Sequence, residues 1–82
     1  MPRPTDQHRQ ALAHLRKQEW DKAHRIVMDM HDKLAYRIHG LVHRIEGDLG
    51  NARYWYDRAG TPFSGSEDVA KEIEDIETLL NK

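Results

Sequence analysis

The chain has 82 residues, 38% hydrophobic and 33% charged, with no cysteine and a formal net charge of −1. That length supports one domain, residues 1–82, with a thin core, and the lack of cysteine rules out a disulfide framework and a thiolate zinc site. No apolar run nears the ~18 residues of a membrane span and the N-terminus lacks a secretory apolar segment, so the expected location is the cytoplasm.

Charge is unevenly spread. Residues 1–60 carry 11 Lys and Arg against 8 Asp and Glu, whereas residues 61–82 carry 2 against 6. The basic part is too weak and too mixed for a nucleic-acid surface, which needs clustered Lys and Arg. The acidic end reads as the solvated face of a last helix.

Helical periodicity dominates, and no stretch alternates as a strand does. Thr5 or Asp6 is placed to cap a first helix reaching about Gln18. Its apolar content is little more than Ala11, Leu12 and Leu15, which predicts an outer helix. A second helix is expected from about Glu19 to Met30, with Trp20, Ala23, Ile26, Val27 and Met30 on one buried face. The third, about Asp32 to Glu46, carries Leu34, Ile38, Leu41, Val42 and Ile45 on one stripe. The boundary "DMHDK" between the two holds neither Gly nor Pro, so one longer bent helix is the alternative there.

Gly47 suits the left-handed residue that ends a helix, and Asp48 suits the N-cap of a fourth helix, Leu49 to Ala59. Gly60, Thr61 and Pro62 stop it. In the loop "TPFSGS", Ser64 and Glu67 have capping-box spacing. A fifth helix follows, about Ser66 to Leu80, with Val69, Ile73, Ile76 and Leu79 or Leu80 on one face and acid on the other. The expected fold is all-α: antiparallel hairpins over about 5–30 and 32–60, closed by a helix over about 66–80.

The stretch "YRIHGLVHRIEGDLGNARYWYDRA" resembles a tetratricopeptide repeat. Tyr36 stands at the first large aromatic of that pattern, and Gly40 at the small residue that lets two helices approach. Gly47 and Asp48 stand at its turn, and Ala52, Tyr56 and Ala59 at its small-aromatic-small series. A weaker echo, Ala11, Trp20, Ala23 and Val27, covers the first hairpin, at an irregular spacing. The same stretch is similar to a group of small bacterial proteins carrying "H…HR.EGD..NA.YWY.RAG", and that similarity implies a fold and no activity. The repeat resemblance implies a short solenoid that binds protein or peptide.

His39 and His43 depart from the repeat pattern, which has large apolar residues there. With His39 at 0° on a helical wheel, His43 falls at about 40°, Tyr36 at about 60° and Glu46 at about 340°. These residues form a polar ridge beside the apolar stripe, facing the fourth helix and its Trp55 and Tyr56, with Asn51 near the turn. The plainest reading is structural: both histidines half-buried, hydrogen-bonded to Tyr56 or backbone and stacked on Trp55. A bound small molecule or peptide group is the next reading. A metal ion on His39 and His43, with an oxygen from Glu46, is the third, weak because no further ligand is apparent. His8, His14, His24 and His31 read as surface residues.

Neither a nucleophile held beside a base nor a glycine-rich phosphate loop is present, so no enzyme and no cofactor are expected. Tyr54 points away from the Trp55 and Tyr56 side, near Arg58, and is either exposed or covered by the fifth helix. An exposed aromatic beside arginine suits a partner-binding spot. The expected function is therefore a non-enzymatic protein-interaction module. Its binding residues would be His39, His43, Glu46, Asn51, Tyr54, Trp55 and Arg58, in the groove between the third helix and the fourth or fifth. Self-association into a homodimer is a further expectation, since the core is thin. A small-ligand or metal-binding protein using His39, His43 and Glu46 is the alternative.

Overall fold

The computed structural model describes residues 4–63 and 68–81. The described residues form five helices: α1 Pro4–Arg16, α2 Trp20–Val27, α3 Lys33–Glu46, α4 Leu49–Ala59 and α5 Val69–Leu80. No strand occurs among them, and no helix among them is long and apolar enough to cross a membrane.

Local signals explain most of the boundaries. Gly47 and Gly60 sit at φ 87° and 70°, in the left-handed conformation that lets the backbone turn back after α3 and α4. Asp32, Asp48 and Asp68 each turn a carboxylate onto a free backbone N–H in the first turn of α3, α4 and α5. The possible capping box of Ser64 and Glu67 lies outside the described residues, as does the expected start of the last helix at Ser66.

Between α2 and α3 the chain breaks, and the bent-helix alternative does not hold. Asp32 is extended, at φ −126° and ψ 158°, and its carboxylate accepts from the Ala35 N–H at 3.1 Å. α2 therefore stops at Val27, short of Met30. The α1–α2 turn lacks glycine. Gln18 takes the left-handed conformation itself, at φ 63°.

The core draws on four helices: Ala11, Leu12 and Leu15 from α1, Ala23 and Val27 from α2, Ala35, Ile38, Leu41 and Val42 from α3, and Ile73 and Ile76 from α5. α1 is thus not an outer helix. Ala11, Leu12 and Leu15 all lie inward, and the helix packs on α2, α3 and α5. α4 packs on α3 through small residues and one ring. A Cβ placed on Gly40 would stand 2.7 Å from Tyr56 Cδ2 and 3.1 Å from the Ala52 carbonyl oxygen, so only glycine permits this approach.

Three expectations about burial are corrected. Trp20 is 40% exposed, because it opens α2 at the edge of the core. His8 is buried, since its place on α1 turns it toward the N-terminus of α3, where its Nε2–H donates to Asp32 at 2.8 Å. The polar face of α5 is not wholly solvated. Glu72 is 2% exposed and accepts from Arg44 at 2.7 Å, from Arg37 at 3.3 Å and from the Tyr56 hydroxyl at 2.6 Å. One carboxylate therefore joins α3, α4 and α5. Burial and this hydrogen bond push the Tyr56 hydroxyl well above its ordinary range.

At the other side, Arg9 donates to the Leu80 carbonyl at 2.8 Å and to Asn81 at 2.9 Å, and Arg16 to Glu77 at 2.9 Å. These contacts are exposed and contribute little.

Candidate functional site

The polar ridge of α3 meets two helices rather than one. His39 lies flat on Trp55 of α4, ring centroids 3.9 Å apart and planes 12° from parallel. Its other neighbours are histidines. His24 of α2 places Nε2 3.0 Å from His39 Nε2, and the His43 ring lies 5.0 Å from that of His39. His24 is therefore not a plain surface residue, and its position beside the buried Ala23 turns it toward α3. His39 bonds His24, where Tyr56 or backbone was the expected partner. The Tyr56 hydroxyl is taken by Glu72.

His39 is 5% exposed, while His24 and His43 are half-buried. Burial, with His24 and His43 beside it, pushes the His39 imidazole down from its ordinary 6.5 to about 4. It is therefore neutral at physiological pH, with a lone pair on one ring nitrogen. His43 is oriented from behind. Its Nδ1–H donates to Glu46 at 2.7 Å, which leaves its Nε2 as the acceptor. Glu46 thus acts on His43 and does not itself enter the cluster.

Beyond Trp55 the seam continues as an aromatic array with one cation. Tyr36 tilts against Trp55 at 5.5 Å and Tyr54 meets its edge at 5.1 Å. The Arg58 guanidinium lies 4.8 Å from the Tyr36 ring centre, 5.3 Å from Trp55 and 5.7 Å from Tyr54, all within cation–π range. It also donates to the Tyr54 hydroxyl at 3.1 Å. No carboxylate among the described residues forms an ion pair with it. Tyr54 is 51% exposed and α5 does not cover it.

The seven residues named from the sequence thus divide. His39, His43, Glu46, Trp55, Tyr54 and Arg58 form one connected run, together with His24 and Tyr36. Asn51 stands apart: its side chain donates to Asp48 at 3.0 Å and it completes the cap of α4. These Asn51 hydrogen bonds hold the Asp48 carboxyl below its usual range.

A separate concavity of about 470 Å³ is lined by Leu15, Gln18, Trp20, Arg44, Ile45 and Val69. Its one charged group, Arg44, is already bound to Glu72. The chemistry lies in the histidine and aromatic seam. No known protein family, curated protein or solved structure matches this chain.

Proposed function

We propose that the chain is a non-enzymatic protein-interaction module, two helical hairpins and a closing helix on a shortened tetratricopeptide-repeat plan. The pairing of α1 with α2 and of α3 with α4 supports that plan, as does the approach of Gly40 to Tyr56. The observation that carries the binding role is Arg58. It is an exposed guanidinium on a platform of Tyr36, Trp55 and Tyr54, with no carboxylate partner among the described residues.

Rigid aromatic faces give contact area at small entropic cost, and arginine forms directed paired hydrogen bonds to carboxylates. The partner that suits the array is a peptide segment presenting an acidic side chain. Nucleic acid does not suit it, since a net charge of −1 gives no broad basic surface.

The test compares the wild-type chain with a Tyr54→Ala/Arg58→Ala variant. Both should fold, because the two side chains are exposed. Proteins captured by the wild type are identified, purified and titrated against both by calorimetry. The variant should bind at least roughly 10-fold more weakly, as at an interface hot spot. Equal affinity for every partner would remove the array from the binding surface. Self-association is a second reading, since a chain this short has a thin core that a second copy could extend. Light scattering across concentration checks it, and a monomer throughout would exclude it.

A further inference from the structure

We propose that His24, His39 and His43 form a binding site for a divalent transition-metal ion of the zinc class, with Glu46 as the group that orients His43. The site is independent of the peptide reading, since it uses the buried end of the seam and neither Tyr54 nor Arg58.

Three lines of geometry support it. First, one ring nitrogen from each histidine lies within 4.8 Å of the other two. A tetrahedral zinc site with Zn–N bonds near 2.0–2.1 Å needs its nitrogens about 3.3 Å apart. The His24 and His39 nitrogens, at 3.0 Å, are already near that spacing. The third needs a ring movement of at most about 1.5 Å, which a side-chain rotation supplies.

Second, the His24–His39 contact sets Nε2 against Nε2. Two neutral imidazoles in that arrangement must share one proton, or their lone pairs repel. A cation between them would take the place of that shared proton and accept both lone pairs.

Third, the His43–Glu46 pair has the form of the carboxylate–histidine support found behind metal-bound imidazoles. It fixes the tautomer and makes the ligand nitrogen more basic. The stacked Trp55 ring walls one side of His39, while the half-buried His24 and His43 leave the site reachable from solvent.

An all-imidazole set suits zinc, copper and nickel and offers nothing to calcium or magnesium, which need oxygen ligands. Three protein ligands leave a fourth position for water or a partner's group.

The experiment uses the full chain stripped with a chelator and titrated with Zn²⁺ by calorimetry. One equivalent should bind with micromolar affinity or better, the melting temperature should rise, and Mg²⁺ should do neither. His24→Gln/His43→Gln should abolish the one-equivalent isotherm. Glu46→Gln should weaken it by roughly 10- to 100-fold. His14→Gln/His31→Gln should leave it unchanged. Unaltered affinity in the His24→Gln/His43→Gln variant, or binding lost with His14 and His31, overturns the site.

Should that variant fail to fold, the native ligand set answers the question. In a Trp20→Phe background Trp55 is the only tryptophan, and Co²⁺ should quench its fluorescence with an endpoint at one equivalent. Quenching that only accumulates over many equivalents, or none, also overturns the proposal.

Discussion

Gly40 and Tyr56 hold α3 and α4 together by what one of them lacks. A methyl group on residue 40 would meet the Tyr56 ring at 2.7 and 2.9 Å. The ring cannot swing aside easily, because it is buried and its hydroxyl is bound to Glu72. Gly40→Ala gains about 1 kcal/mol of helix propensity but must separate two packed helices, which costs about 1–3 kcal/mol. The expected net result is a destabilised protein, read as a lower urea midpoint at unchanged slope. A higher midpoint would show that helix propensity wins over the contact.

Glu72 is the second point of failure. It neutralises Arg37 and Arg44, which are 17% and 7% exposed at their side chains. Glu72→Gln leaves two guanidinium groups with no carboxylate, a loss of about 3–5 kcal/mol for a broken buried pair. A chain this short has roughly 4–12 kcal/mol in total, so circular dichroism should show partial or complete unfolding at 37 °C. Replacing the whole network, as Arg37→Met/Arg44→Met/Tyr56→Phe/Glu72→Leu, should restore the fold. If Glu72→Gln melts like the wild type, the charge is not needed.

Gln18 offers a gain. A non-glycine residue in the left-handed conformation costs about 1–2 kcal/mol, and Gln18 adopts it to end α1. Gln18→Gly relieves that strain but adds freedom to the unfolded chain. The net expectation is about 0.5–1 kcal/mol of added stability. Thermal melts of the two proteins at matched concentration decide it, and a lower melting temperature would contradict the strain argument.

Acid should act through His39 before it acts on the carboxylates. Its pKa is about 4 in the folded protein against 6.5 ordinarily. Between those values the unfolded chain binds the proton and the folded chain does not, so stability falls as pH falls. Above about 6.5 both states are neutral and the contribution is flat; below about 4 both are protonated and the loss is complete. The groups facing His39 are His24 from α2 and His43 from its own helix, and Trp55 from α4 carries no charge. In chelator, wild type should lose up to about 1.4 kcal/mol per pH unit more than His39→Gln across the window. Parallel curves for the two proteins would rule out His39 as the source.

The sequence made α3 and α4 legible because their limits are local. Gly47, Asp48 and Gly60 act on the backbone beside them, whatever packs nearby. The end of α2 was harder, since only the cap at Asp32 marks the break. His8 and Glu72 carried a signal that could have been used. Each falls within its helix's apolar stripe, His8 below Ala11, Leu12 and Leu15, and Glu72 between Val69, Ile73 and Ile76. A polar residue there must find a buried partner. Its identity, Asp32 or the two arginines, depends on which helix lies opposite, and periodicity carries no such information. The same limit hid His24, whose meeting with His39 is set by how α2 packs on α3.

The carboxylate of Glu72 also bears on the order in which this chain would open. Terminal helices ordinarily fray, and their amides exchange early. Here α5 is tied through a side chain in its first turn to arginines in the second and last turns of α3 and to a tyrosine in the last turn of α4. Detaching α5 would strand two cations at once, so its hydrogen-bonded amides from Glu72 onward should exchange in step with those of α3. In that respect α5 opens as one unit with the two helices it is bound to.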